Sequence, residues 1–111
     1  MEITVKQIAD KLELKQWTQL PLDRPVDGGC VCDLLSWVMA RGEEGMVWVT
    51  VHTHLNVLAV ACLHDFACVI VPEGIAVPEA TIEKAQEEGI PMLSYAGPAY
   101  ELCGLLHDMG V

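Results

Sequence analysis

Basic residues are scarce in this chain. Only 6 Lys+Arg stand against 16 Asp+Glu, a formal net charge of −10 over 111 residues. So acidic a surface repels phosphate backbones and anionic headgroups, which argues against nucleic-acid and membrane binding. TVKQIADKLEL can open a helix-turn-helix, but no basic second helix follows it. Long apolar runs are missing too. Each is broken by His, Asn or Asp well short of the roughly 18 residues that a membrane-spanning helix needs. The first residues, MEITVKQIADKLEL, lack the basic and then apolar pattern of a signal peptide. The five cysteines are odd in number and irregular in spacing, so a cytoplasmic setting with reduced thiols is expected.

The motifs of common catalysts are also absent. There is no G-x-x-x-x-G-K-[ST] and no G-x-G-x-x-G, and Cys30-Val31-Cys32 follows Gly28-Gly29 with no lysine. Phosphoryl transfer needs a phosphate cradle, a metal-binding carboxylate and a base in one place. No such set is visible, which disfavours a kinase. No G-x-S-x-G occurs, and Ser36 and Ser94 fall inside a predicted helix and strand.

What the chain does have is hydrophobic patterning. Apolar residues make up 52% and charged ones 20%, enough for one folded domain spanning 1–111. Val47–Gly74 organises it. Val47–Val51 is a β-forming run, the polar cluster His52, Thr53, His54, Asn56 interrupts it, and Cys68–Val71 is a second β-run. Between them Leu55, Leu58, Ala59, Cys62 and Phe66 recur at helical spacing, with Val57, Val60 and Ala61 on the opposite face. The helix is thus apolar nearly all round and demands cover on both sides, from a second layer or another subunit.

The flanks extend the alternation. Thr4 with Gln7 predicts a capping box for an N-terminal helix assigned to 1–16, with Val5, Ile8, Ala9 and Leu12 inward. Pro21 and Pro25 mark a loop or short edge strand. Val26 and Cys30–Cys32 read as one strand interrupted at Asp27–Gly29, and Asp33 as the N-cap of a helix ending near Gly42. Pro78–Glu88 is helical, with Gly89 as its stop. Met92–Tyr95 is a strand, and a last helix turns Ala99, Leu102, Cys103 and Leu106 inward. The expected fold is α/β: a parallel-rich, possibly mixed sheet of about four strands flanked by helices, with a βαβαβα core over 47–109.

In open α/β sheets ligands collect beyond the carboxyl ends of the strands. The loops His52–Asn56, Pro72–Val77 and Ser94–Pro98 fall there, with the Asp27–Gly29 turn as a further candidate for that edge. His52, Thr53, His54, Asn56, Glu73 and Gly74 are therefore the candidate ligand-binding residues; capping, packing or pairing with Asp65 or another acid is the structural alternative for the histidines. No Lys or Arg lies in the three loops, so a small, weakly charged ligand is favoured over a triphosphate unless Arg24 or Arg41 folds over the site. Four Cys/His pairs occur: Cys30 with Cys32, His52 with His54, Cys62 with His64 and Cys103 with His107. None has the C-x-x-C spacing usual for zinc or iron–sulfur sites, so no metal or cofactor is expected. Convergence in space, or a catalytic Cys–His pair, stays open.

The runs DGGCVCDLLSWVMA, VWVTVHTHLNVLAVACLHDFACVIVPEG and EKAQEEGIPMLSY resemble the DRTGG domain family, in its short free-standing form and over nearly the whole chain. The resemblance implies a compact α/β regulatory domain similar to the N-terminal domain of HPr kinase. It implies no enzyme, because the kinase's phosphate-binding loop belongs to another domain. Relatives regulate phosphotransacetylases and CBS-containing pyrophosphatases that respond to adenine nucleotides, commonly dimerise, and sometimes accompany redox enzymes such as hydrogenases. The expected Asp-Arg falls here on Thr53-His54 and the expected Thr-Gly-Gly on Pro72-Glu73-Gly74, so only Gly74 matches. The first functional expectation is a non-catalytic regulatory or sensory domain binding a small ligand, with adenine nucleotides as candidates. The alternative is a protein-interaction module, as a homodimer or with a redox-enzyme partner. A thiol or metal enzyme stands third.

Overall fold

A computed structural model of the chain describes residues 2–111. β1 (Ile3–Thr4) leads into α1 (Val5–Lys11), opened by the expected capping box: Gln7 N–H donates to Thr4 Oγ1 at 3.2 Å, and Thr4 N–H to Gln7 Oε1 at 2.9 Å. The helix stops well before residue 16. Glu13 takes a left-handed φ of 54° and Leu14 N–H bonds back to Ala9 C=O, so the next residues emerge as β2 (Lys15–Gln16). β3 (Pro25–Val26) pairs antiparallel with β1, whereas β4 (Gly29–Val31) joins the main sheet. These are two strands in different sheets, separated at Gly28, whose φ of 131° is open to glycine and strained for other residues.

α2 (Leu35–Arg41) is capped by Leu34 without any side-chain bond, so Asp33 is not the N-cap. β5 (Val47–Val49), α3 (Asn56–His64), β6 (Cys68–Val71), α4 (Glu79–Glu88), β7 (Met92–Ser94) and α5 (Ala99–Asp108) follow, realising the βαβαβα core. The main sheet runs β2-β7-β6-β5-β4. β4, β5, β6 and β7 are parallel, and β2 lies antiparallel on β7 with Lys15 opposite Ser94. The sheet thus has five strands, one beyond the number expected. Lys15-Gln16 is too short and too polar to announce a strand.

Alternation along the strands divides the core in two. Trp48, Val69, Val71 and Met92 pack with Val38, Val57, Leu58, Val60, Ala61 and Ala85, the inner faces of α2, α3 and α4. Val47, Val49, Cys68, Ile70 and Leu93 pack with Val5, Ile8, Leu102 and Leu106 from α1 and α5. The phase of α3 is reversed from expectation. Val57, Val60 and Ala61 are buried, while Leu55 and Ala59 are exposed and Cys62 is half-buried. An all-apolar helix carries no phase in its pattern, and only Leu58 and Phe66 of the predicted stripe lie in the core.

Two glycines respond oppositely to alanine. At Gly42, after α2, a Cβ would stand 2.6 Å from the Phe66 ring, 2.7 Å from His64 Cδ2 and 2.9 Å from the Val38 carbonyl. Gly104 sits within α5 with nothing inside 4 Å. In urea denaturation, Gly42→Ala is expected to lose about 1–3 kcal/mol. Gly104→Ala is expected to gain about 0.5–1 kcal/mol.

Candidate functional site

Four connections leave the carboxyl ends of the parallel strands, after Val31, Val49, Val71 and Ser94. Asp27–Gly29 is not among them. It leads into the amino end of β4, where Asp27 N–H donates to Gly45 C=O, and so lies at the opposite edge. The Cys32–Leu34 connection takes its place. There Asp33 Oδ1 accepts from Thr50 Oγ1 at 2.6 Å and from Val51 N–H at 2.9 Å. Thr50 Oγ1 in turn accepts from His52 N–H, and His52 Nδ1 stands 3.3 Å from the Asp33 carbonyl oxygen. Trp48 Nε1–H donates to the Cys32 carbonyl at 2.9 Å. Asp33 is the residue that sequence reasoning misplaced: its carboxylate joins two strand ends instead of capping α2. An Asp two residues beyond one strand, with a Thr at the end of the next, was the available signal.

The six candidate residues divide into two groups, with no hydrogen bond between the groups among the described residues. In the first, His52 is docked on Asp33, Thr53 C=O accepts from Thr81 Oγ1 at 2.6 Å, and His54 Nδ1 accepts from Asn56 N–H at 3.1 Å. His54 therefore caps the turn that opens α3, and neither histidine meets Asp65, which binds Arg24 at 2.9 Å. In the second group, Glu73 and Gly74 both have left-handed φ, 68° and 63°. Glu73 N–H donates to Gly97 C=O and Gly74 N–H to Tyr95 C=O. Glu73 Oε2 accepts from Ala99 N–H at 2.9 Å. A carboxylate of the protein itself thus sits at the positive end of α5, the place an incoming anion would use.

One basic residue does reach this edge. The β2–β7 pairing sets Lys15 beside Ser94, and a cavity of about 380 Å³ opens there, lined by Glu13, Lys15, Trp17, Gly74, Ser94 and Ala96 among others. Its volume is within the usual range of small-ligand sites, roughly 300–1,000 Å³. Lys15 Nζ lies 3.8 Å from the Trp17 ring centroid. The other two candidate cations point elsewhere: Arg24 is held by Asp65, and Arg41 lies over Trp37 at 4.9 Å.

The Cys/His pairs disperse. Among the described residues, no group of three or more His, Cys, Asp or Glu could hold a metal ion. Cys62 Sγ donates to Glu88, and His64 Nε2 lies 2.8 Å from Met39 C=O while stacking on Phe66. Burial pushes the Cys30 and Cys103 thiols up and the fully enclosed Cys68 up to about 12, so these sulfurs are poor nucleophiles near neutrality.

No family model and no curated protein matches the sequence. Among solved structures, the chain is similar to the CBS and DRTGG domains of the regulatory region of Clostridium perfringens pyrophosphatase, solved with its activator diadenosine tetraphosphate. The TM-score is 0.71 at 15% identity, over 92% of this chain and 45% of that one. The fold is DRTGG-like. Likeness at this identity carries the architecture, and the chain spans less than half of the regulatory structure it matches. Among the described residues, no helix is long and apolar enough to cross a membrane.

Asp33→Ala leaves the Thr50 hydroxyl and the Val51 N–H without their shared acceptor. Unfolding free energy is expected to fall by about 1–3 kcal/mol, with faster amide exchange at Val51 and His52 and unchanged exchange in β6. Unaltered exchange at Val51 would show that the carboxylate does not hold this edge.

Proposed function

We propose that this chain is a non-catalytic regulatory domain that binds a small ligand of low charge at the carboxyl edge of its sheet. The carrying observation is the cavity at the β2–β7 end, where Lys15, the aromatic Trp17 and the left-handed Gly74 meet beside Ser94. The resemblance to a pyrophosphatase regulatory region crystallised with a dinucleotide activator supports the regulatory role and makes adenine nucleotides the ligands to test. Trp17 supplies an aromatic surface for a base and Lys15 one positive charge. Glu73 occupies the α5 terminus, Glu13 shares the cavity, and the chain carries −10. A monophosphate is therefore better matched than a triphosphate. His52, Thr53, His54 and Asn56 form the other half of the same edge and act by holding its loops, with His52 tied to the strand clamp.

A second reading, a protein-interaction module, is favoured by the exposed apolar side chains of Val31, Leu34, Trp37, Met39 and Leu63. A homodimer and a redox-enzyme partner are its candidate assemblies from the family resemblance. It is compatible with ligand binding, since these side chains do not line the Lys15–Trp17 cavity.

Isothermal titration with adenosine, AMP, ADP and ATP tests the first reading. Affinity is expected to be greatest for AMP and to fall with each added phosphate. Lys15→Ala is expected to weaken AMP by about tenfold, the effect of losing one charged hydrogen bond. Absence of heat from every compound at millimolar concentration would contradict it.

A further inference from the structure

We propose that the cavity between the ends of α1 and α5 binds a free α-amino acid with an apolar side chain. The cavity, about 490 Å³, is lined by Lys11, Leu12, Leu105, Asp108 and Met109. That volume is within the usual range of small-ligand sites, roughly 300–1,000 Å³. Two helix ends build it: Lys11 is the last residue of α1 and Asp108 the last of α5. Leu12 and Met109 are half-buried and pack on the core that α1 and α5 share. Leu105 precedes Met109 by one helical turn and is half-buried as well.

One cation and one anion line this cavity without meeting. Three ion pairs form among the described residues, Lys6–Asp10, Arg24–Asp65 and Lys84–Glu88, and neither Lys11 nor Asp108 belongs to any of them. The lysine complements the negative end of the α1 dipole, whereas the aspartate adds to the negative end of α5. His107, the basic residue in the last turn of α5, lines the cavity beside β4 instead. The α5 side of the cavity thus calls for an ammonium group, and the α1 side offers one to a carboxylate.

An α-amino acid carries both groups on a single carbon. Its carboxylate would accept from Lys11 Nζ and its ammonium would donate to the Asp108 carboxylate, bridging two charges that the fold leaves apart. Its side chain would then lie on Leu12, Leu105 and Met109, where apolar surface is favoured and a further charge is not. A ligand without net charge also escapes the repulsion that a chain of −10 exerts on anions. The site shares no lining residue with the Lys15–Trp17 cavity, so it stands or falls separately from nucleotide binding there.

L-leucine is the probe, titrated by calorimetry and by amide shifts of the ¹⁵N-labelled protein. Saturable binding in the millimolar range is expected, with shifts at Leu12, Leu105 and Met109. Glycine lacks the side chain, L-leucinamide the carboxylate and N-acetyl-L-leucine the ammonium, and each is expected to bind at least about tenfold more weakly. Lys11→Met should weaken L-leucine about tenfold and leave L-leucinamide unaffected, because the contact it removes is already missing there. Asp108→Asn should weaken L-leucine likewise and leave N-acetyl-L-leucine unaffected. Both side chains are exposed, so the melting temperature of each variant is expected to match that of the unaltered protein. No saturation with L-leucine at tens of millimolar would overturn the proposal. So would equal binding of L-leucine and L-leucinamide, or full affinity in either variant.

Discussion

Burial of β6 on both faces is the constraint from which the rest of the architecture follows. Cys68, Val69, Ile70 and Val71 are each fully buried, two against α1 and α5 and two against α2, α3 and α4. No single layer can cover such a strand, so helices must lie on both faces and the crossovers must return over the sheet. The polar groups of those crossovers then collect at the strand ends, where each must find a partner or water. Fold and candidate site are in this sense one problem.

The carboxyl edge solves it unevenly. At the β4–β5 end the protein satisfies itself. Asp33 takes the Thr50 hydroxyl and the Val51 N–H, His52 leans on Asp33, and His54 accepts from Asn56. Glu73 supplies α5 with its own anion. At the β7 end, a short antiparallel strand brings Lys15 and Trp17 alongside Gly74 and Ser94 and leaves a cavity. The Asp33–His52 clamp and the cavity beside Lys15 thus lie at different ends of one rim.

Much of this was legible in the residues. The capping box at Thr4 and Gln7, the βαβαβα order, the helix stop at Gly89 and the DRTGG resemblance were all readable because local chemistry and hydrophobic period agree there. What was not legible depended on contacts distant in sequence. Lys15-Gln16 becomes a strand only because β7 offers it an edge. Asp33 had a good local role as a cap and lost it to Thr50 and Val51, seventeen and eighteen residues away. The face of α3 was unreadable because apolar residues surround the helix, and its packing on one face of the sheet between α2 and α4 decides which side is buried.

The central claim is that ligand recognition belongs to the Lys15–Trp17–Gly74 end, while the His52–Asn56 loop is a structural clamp. Nuclear magnetic resonance of the ¹⁵N-labelled protein during addition of AMP separates the two most directly. The account requires saturating shifts at the Trp17 indole N–H and the Gly74 and Ala96 amides, with His52, His54 and Asn56 unmoved. Shifts confined to His52–Asn56 would contradict it.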